Sequence, residues 1–225
     1  MNTRIAIVIN GAPGSGSTTL AKSIARAFGW PAPYYSGGVI RWLSIYWEAH
    51  GEDITKLNPK DILRVMEDGA IPDAPRIHEL YKTFPADLDR MVDEIQEELL
   101  RTKSVGVHEG RLAPYLSVKI EKDGSAPDKI FARIATVVDP RVGARRQLLR
   151  SENKGKTEDA LVAETALRVA EEKKRYEALY GVKDYMSSEY FDGMIDTTDI
   201  PASETLARAI SVIRAKFPDA DFLLP

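Results

Sequence analysis

The fold class is indicated most clearly by the segment Ile5-Ala-Ile-Val-Ile-Asn-Gly-Ala-Pro-Gly-Ser-Gly-Ser-Thr18, close to the amino terminus. Its opening residues are apolar and mostly β-branched, which is typical of a strand buried on both faces of a parallel sheet. A glycine-rich turn follows, and the residues from Ser17 or Thr18 to Phe28 predict a helix that ends at Gly29. The stretch therefore predicts a strand, a tight turn and a helix in direct succession.

The glycines of this turn follow the pattern G-x-x-x-x-G-K-[ST] at every fixed position except the lysine, which is replaced by Ser17. Glycines let backbone N–H groups converge on a phosphate, and the following helix directs the positive end of its dipole to the same place. Thr18 is placed to offer its hydroxyl to Mg²⁺. The predicted phosphate-binding residues are Gly11, Gly14, Ser15, Gly16, Ser17, Thr18 and Thr19. A glycine-rich turn without a ligand is the alternative.

The missing lysine is the main departure from the pattern. It would carry a positive charge to the β- and γ-phosphates, where charge develops during phosphoryl transfer. Lys22 is poorly placed to replace it, since it lies about 7.5 Å further along the helix axis and on another part of the helix surface. We expect the replacement charge to come from arginines of a closing lid.

Strand and helix patterns alternate along the rest of the chain. Further strands are predicted at residues 105–108, 131–138 and 194–196. Helices are predicted after Asp139-Pro140, after Thr157 and after Ser203, because these residues favour the first turn of a helix. The alternation predicts an α/β layered fold with a mostly parallel sheet, in one domain that spans residues 1–225.

Two segments depart from the alternation. Residues 36–100 have a mostly helical pattern, interrupted by glycine and proline, and residues 150–160 are polar and contain Gly155. We expect the first segment to be a helical insertion and the second to be a short lid.

Ser36-Gly-Gly-Val-Ile-Arg41 places a hydroxyl and Gly37 at the start of a helix, with an arginine about one turn later. Backbone and hydroxyl donors together with a guanidinium suit a second phosphate. An ordinary capped helix with a surface arginine is the alternative.

Glu109-Gly110-Arg111 follows the second predicted strand. Ligands of open α/β sheets bind beyond the carboxyl ends of the strands. At that place the carboxylate can hold Mg²⁺ through its water shell, the glycine lets substrate approach and the arginine binds phosphate. The alternative is a solvated ion pair between Glu109 and Arg111.

Arginines flank the predicted lid on both sides: Arg145, Arg146, Arg150, Arg168 and Arg175. The last two are seven residues apart and so share one helix face within roughly 20°. Such arginines could close over a triphosphate and neutralise the transferring group. Asp89 and Asp93 share another helix face and could receive the polar edge of a base or sugar. In both cases a solvated helix face is the alternative.

The composition excludes several classes of protein. The net charge of −3 argues against a whole-surface nucleic-acid binder, so we expect no stable nucleic-acid partner. The chain has no cysteine, which excludes disulfides, zinc ribbons and Fe–S clusters, and its three histidines are scattered. No apolar run approaches the ~20 residues of a membrane span. A cytoplasmic protein, monomeric or dimeric and not bound to membranes, is expected.

Taken together, the motifs resemble those of nucleoside monophosphate kinases, and specifically the short, archaeal-type cytidylate kinases. Five segments occur in the family's order: Gly11–Thr19, Ser36–Arg41, Asp89–Asp93, Glu109–Ala113 and Glu171–Gly181. The most specific are Glu-Gly-Arg-Leu-Ala and Lys-Lys-Arg-Tyr followed by Tyr-Gly. The resemblance covers most of the chain and is weakest at residues 43–84.

The resemblance implies a P-loop NTPase fold with a three-layer core, a helical monophosphate-binding insertion at residues 36–100 and a lid at residues 150–160. It implies transfer of the γ-phosphoryl group of ATP to CMP or dCMP with Mg²⁺. The glycine turn would hold ATP, with Thr18 and Glu109 at the metal. The residues expected to hold the acceptor are Ser36, Gly37, Arg41, Asp89, Gly110 and Arg111. The residues expected to serve the lid and the transition state are Arg146, Arg150, Arg168 and Arg175.

Two other functions are open at this point. The long segment at residues 43–84 is compatible with a P-loop kinase for another small acceptor. The absent lysine is compatible with a nucleotide-binding regulatory protein of weak or lost catalytic activity.

Overall fold

The computed structural model describes residues 4–40, 42–43, 88–103 and 105–218. The strands are β1 (Arg4–Gly11), β2 (Tyr34–Tyr35), β3 (Gly106–Glu109), β4 (Lys129–Val137) and β5 (Gly193–Asp196). The helices are α1 (Ser17–Ala27), α2 (Leu88–Thr102), α3 (Ala113–Asp123), α4 (Pro140–Leu148), α5 (Glu158–Tyr180) and α6 (Ala202–Lys216). Residues 36–40 and 42–43 are also helical.

The five strands form one parallel sheet in the order β2-β3-β1-β4-β5. The chain leaves β1 towards β2 on one side of the sheet and leaves β3 towards β4 on the other. The direction therefore switches between β1 and β3, and ligands of such sheets bind in the crevice at the carboxyl ends of these strands. The glycine turn after β1 and the residues after β3 both lie at this crevice.

Both faces of the sheet are covered, as the composition of β1 shows. Ile5, Ile7 and Ile9 pack against α1 and α6 on one face, whereas Ala6 and Val8 pack against α3 on the other. All five side chains are buried, so the strand shows no alternation of polar and apolar residues. The predicted three-layer α/β fold with a parallel sheet is confirmed.

Two of the three predicted helix caps are confirmed. The side chain of Asp139 accepts hydrogen bonds from two backbone N–H groups of α4, and that of Thr157 accepts one in α5. The prediction for Ser203 is wrong: α6 begins at Ala202 after Pro201, and no side chain caps it. Pro201, extended with a ψ of 163°, is the residue before the helix, so the helix starts two residues earlier than a cap at Ser203 would allow.

Helix α3 is an element that the sequence pattern does not predict. From its sequence, only the turn at its carboxyl end is predictable, where Gly124 has a φ of +66°. Its buried residues include Pro114 and Ser117 as well as apolar side chains, so the helical stripe is weak.

Of the two predicted accessory segments, the insertion is only partly within the described residues, whereas the lid is wholly within them. Most of the insertion, residues 44–87, lies outside them, as does Arg41. The predicted lid joins α4 to α5 and begins with a short 3-10 turn at Ser151–Asn153. No helix in the described ranges has the length and apolar character to cross a bilayer.

Candidate phosphate-binding site

The turn between β1 and α1 is shaped by its glycines. Gly14 and Gly16 have φ angles of +82° and +85°, a conformation that side chains rarely adopt. A Cβ on Gly14 would lie 2.3 Å from the carbonyl oxygen of Gly143 in α4, and a Cβ on Gly11 would lie 2.1 Å from Thr136 Oγ1. Both backbone conformation and close packing against α4 and β4 therefore require glycine here.

Ser15 anchors the turn to the sheet. Its buried hydroxyl lies 2.7 Å from Thr136 Oγ1, its carbonyl accepts from Thr197 Oγ1 at 3.0 Å, and its N–H donates to Ala12 O at 3.0 Å. The polar groups of Ser15 are thus used within the protein. The first N–H groups of α1 have no acceptor inside the helix, so they remain for an anion.

Ser17, which stands where the pattern has lysine, faces the end of β3. Its hydroxyl donates to Glu109 Oε1 at 3.0 Å, and the residue is buried. Thr18 and Thr19 are exposed at the start of α1. The helix start thus presents two threonine hydroxyls to solvent and turns the serine inward.

Glu109 ends β3 next to the turn. Burial raises the pKa of its carboxyl group above the ordinary value, while the hydrogen bond from Ser17 and the charge of Arg111 oppose that rise. Among the described residues its Oε2 has no hydrogen-bond partner. Mg²⁺ is usually held by one or two carboxylates together with phosphates and water, so Glu109 with Thr18 forms a suitable partial set.

Arg111 reaches back from the loop after β3 to the turn. Its Nη1 donates to the carbonyl oxygen of Gly11, and its Nε lies 3.1 Å from Glu172 Oε2. Burial disfavours the charged guanidinium, but the carboxylates of Glu172 and Glu109 outweigh burial, so the pKa of Arg111 is raised. Arg111 pairs with Glu172 and Glu109 bonds to Ser17, so the two do not form the solvated pair considered above.

Glu172 in α5 joins the candidate lid helix to the turn. The residue is 4% exposed, and its carboxylate accepts from Arg168 Nε at 2.9 Å and from Tyr185 Oη at 2.8 Å. Burial alone would raise the pKa of Glu172, but Arg111 and Arg168 lower it below the ordinary value. The guanidinium of Arg175 lies 5.1 Å from the ring of Tyr176.

Arg146 in α4 binds the turn from the side opposite Arg111. Its Nη1 lies 3.3 Å from Gly14 O and 3.1 Å from Thr197 Oγ1, and its Nη2 lies 2.6 Å from Thr197 O and 3.2 Å from Thr198 O. The guanidinium is therefore held by backbone carbonyls of two loops. Arg150, which follows α4, is exposed.

The predicted acceptor residues are partly brought together. Ser36 Oγ donates to Gln96 Oε1 at 2.6 Å, and a Cβ on Gly110 would lie 2.1 Å from Ser36 Oγ. Gln96 also donates to Glu109 O at 3.3 Å, so it links α2 to the end of β3. Gln96 is not predicted from the sequence, although it lies three residues after Asp93 on the same helix face. Gly37 is exposed.

One of the two predicted acidic residues of α2 is not solvated. Asp93 is buried, and its Oδ2 accepts from Tyr180 Oη at 3.0 Å. The exposed alternative is therefore wrong for Asp93. Asp89 lies in the first turn of α2, and its side chain is outside the described part.

A cavity of about 310 Å³ opens on the Arg146 side of the turn. Its walls come from the turn, α1 and the loop between β5 and α6, and they combine apolar and hydroxyl side chains. The lining residues include Gly16, Thr19, Leu20, Thr197, Ile200 and Thr205.

Known proteins with similar sequences support the fold described above and the resemblance to archaeal cytidylate kinases. No protein-family model matches the chain. A cytidylate kinase of Methanothrix thermoacetophila is 28% identical over 212 residues, covering 93% of this chain and 98% of that protein. A cytidylate kinase of Pyrobaculum aerophilum is 27% identical over 207 residues, covering 90% and 89%. These relatives support a P-loop kinase.

Among solved structures, an uncharacterized protein from Eubacterium ventriosum matches with a TM-score of 0.59 and 16% identity, over 94% of this chain and 99% of that one. Shikimate kinase from Bacteroides thetaiotaomicron matches with a TM-score of 0.52 and 15% identity, over 95% and 98%. The chain has the fold of the P-loop kinases, and over most of its length its sequence is similar to those of archaeal cytidylate kinases.

Proposed function

We propose that the protein transfers the γ-phosphoryl group of ATP to CMP or dCMP with Mg²⁺. The observation that carries the proposal is the joining of the glycine turn to Glu109-Gly110-Arg111 at the crevice. Gly110 N donates to Ile9 O at 3.1 Å, and Asn10 Nδ2 donates to Arg111 O at 2.9 Å. A phosphate-binding turn and a carboxylate with an arginine thus share one rigid wall.

The donor would occupy the turn and the adjoining cavity. Backbone N–H groups and the dipole of α1 favour the phosphates at the turn. The cavity of about 310 Å³ is in the range of small-ligand sites, and Leu20 and Ile200 offer apolar surface for the base of ATP. Thr197 and Thr205 also line the cavity, and their hydroxyl groups donate to the carbonyl oxygens of Ser15 and Pro201.

The acceptor would lie beyond β3, facing α2. Ser36 and Gly110 touch each other there, and the buried carboxylate of Asp93 is close to the same helix face as Gln96. The similarity to cytidylate kinases supports a cytosine base in this position. Arg41 and Asp89 are the further residues that we expect to hold the acceptor.

Mg²⁺ would be held by Glu109 and Thr18 together with the donor phosphates, and it would offset the phosphate charge as transfer proceeds. Among the described residues, Glu109 Oε2 has no hydrogen-bond partner, which fits this role. An oxygen of the acceptor phosphate attacks the γ-phosphorus, and ADP leaves. Positioning and charge neutralisation supply most of the rate, so no protein base is needed. We expect Arg146, Arg150, Arg168 and Arg175 to contribute when the lid closes.

The test is a coupled assay with ATP, Mg²⁺ and a panel of nucleoside monophosphates. We expect turnover with CMP or dCMP at least about 100-fold more efficient than with AMP, GMP or UMP, which corresponds to about 2.7 kcal/mol. Glu109→Gln should lower the rate strongly, whereas Glu204→Gln, an exposed residue of α6, should not. Preference for another acceptor would support the alternative kinase, and ATP binding without any turnover would support the regulatory alternative.

A further inference from the structure

The glycine turn lacks its lysine, and the donor phosphates need a cation in that place. We propose that Arg111 supplies this positive charge and takes the place of the lysine. The inference rests on the proposed function only in taking ATP as the donor, and it is independent of the acceptor.

The position of Arg111 is the first argument. Its Nη1 donates to the carbonyl oxygen of Gly11, the first glycine of the pattern. Ser17 lies beside the same residue, since a Cβ on Gly11 would lie 3.0 Å from the Cβ of Ser17. Position 17 and the guanidinium of Arg111 are therefore both next to Gly11, so a cation from either position would be close to the start of the turn.

The second argument is that Arg111 has N–H groups to spare. A guanidinium has five N–H donors. Among the described residues, only the Gly11 carbonyl accepts a hydrogen bond from Arg111, and Glu172 adds an ion pair at 3.1 Å. A fixed, largely buried guanidinium with unused donors is well suited to bind two phosphate oxygens at once.

The other cations near the turn are less well placed. Arg146 is used by Gly14 O and by the loop after β5. The side chain of Arg168 is 63% exposed and bonds to Glu172, and Lys22 is exposed. Arginines of the lid would reach the phosphates only after closure, whereas Arg111 is at the turn beforehand. Its contact with Gly11 also places it on the donor side rather than with the acceptor phosphate alone.

The experiment measures nucleotide affinity by calorimetry without any acceptor. We expect Arg111→Ala to weaken ATP and ADP binding by about 30-fold or more, because a charge-assisted contact with phosphate is lost. Arg111→Lys should retain most of the ATP affinity. Arg214→Ala, an exposed arginine of α6, is the matched control and should have no effect.

Exchange of the two positions gives the sharper comparison. Ser17→Lys alone should not improve ATP affinity, because the new ammonium group meets the guanidinium. In the double variant Ser17→Lys/Arg111→Ala the lysine should recover at least about 10-fold of the lost affinity. If Arg111→Ala does not fold, as judged by circular dichroism, Arg111→Gln gives the same comparison without charge.

Two outcomes overturn the inference. One is ATP affinity within about 2-fold of the natural protein in folded Arg111→Ala, which would assign Arg111 to the acceptor or to structure alone. The other is a folded double variant in which the lysine recovers no affinity. Neither depends on turnover, so a protein that phosphorylates no nucleoside monophosphate would end the proposed function and still decide the role of Arg111.

Discussion

The glycine turn is held from two sides by arginines that serve different purposes. On the Thr197 side, Arg146 binds carbonyls of the turn and of the loop after β5, and its charge is spread over backbone acceptors. On the Glu109 side, Arg111 makes one hydrogen bond to the turn and is paired with a buried carboxylate. The N–H groups of Arg146 are bonded to the protein, whereas Arg111 has N–H groups without an acceptor among the described residues.

The two arginines indicate how a structural guanidinium can be distinguished from one that is suited to a ligand. A guanidinium whose N–H groups are satisfied by backbone carbonyls mainly stabilises the fold. A buried guanidinium with N–H groups left over is costly for stability and is suited to a ligand. The same distinction applies to Ser15, whose polar groups are bonded within the protein, and Glu109, whose Oε2 is free among the described residues.

The greatest loss is expected from Gly14→Ala, which disrupts the turn where it packs against α4. The new Cβ would meet the backbone of Gly143 at 2.3 Å and strain a φ of +82°. We expect a loss of about 2–4 kcal/mol in the free energy of unfolding and a loss of ATP binding. Gly16→Ala is the control, because its φ is also positive but no atom lies within 4 Å of its Cβ. Urea unfolding and calorimetry measure both, and equal losses would contradict the packing argument.

Glu172→Gln tests how much the buried carboxylate that faces Arg111 contributes to stability. It removes the buried charge that Arg111 and Arg168 face, and we expect a loss of about 2–3 kcal/mol in unfolding free energy at pH 7. The folded pKa of Glu172 lies below the ordinary 4.5, so its stabilising effect is present above that value and is lost as the pH falls through the folded pKa. The difference between variant and natural protein should therefore shrink below about pH 4.5. A difference independent of pH would show that packing, not charge, is lost.

Arg146→Ala should weaken the link between the glycine turn and the loop after β5. Carbonyls of Gly14, Thr197 and Thr198 lose a donor, so the free energy of unfolding should fall by about 1–2 kcal/mol. ATP affinity should fall less than in Arg111→Ala. Arg145→Ala, which removes an exposed ion pair with Glu158, should change stability by no more than about 0.5 kcal/mol. A larger loss of ATP affinity in Arg146→Ala than in Arg111→Ala would reverse the assignment of the two sides.

The smallest effect is expected from Ser17→Ala. Its hydroxyl opposes the rise in the pKa of Glu109 that burial causes, so its removal should raise that pKa further. The acid side of the pH profile of kcat/KM should then move to higher pH, while activity at pH 8 changes little. Ser211→Ala, an exposed residue of α6, should not move the profile.

Local patterns in the sequence are sufficient for much of the fold. The apolar run before Gly11 predicts β1, and Asp139 and Thr157 predict the starts of α4 and α5, because side chain and backbone of the same segment interact. Helix α3 escapes prediction because its buried residues include Pro114 and Ser117 and its stripe is weak.

Contacts between distant segments are where sequence reasoning falls short. Glycine at position 14 is expected for its backbone conformation, but its close approach to Gly143 in α4 depends on how two elements pack. Gln96 carries no motif of its own, and its link between Ser36 and Glu109 requires α2 to lie beside β3. The contact of Arg111 with the carbonyl oxygen of Gly11 likewise depends on the pairing of β1 with β3.

The amino-acid sequence was sufficient for most of the strands and helices, the glycine turn before α1 and the kinase-like motifs, since each depends on neighbours a few residues apart. The partners of the charged side chains depend on the tertiary structure. Arg111 contacts Gly11 and Glu172, Glu109 contacts Ser17, and Arg146 contacts the loop after β5. The physical reason is that these partners are separated by dozens of residues along the chain, and parallel pairing of β1 with β3 and β4 brings them to one edge of the sheet.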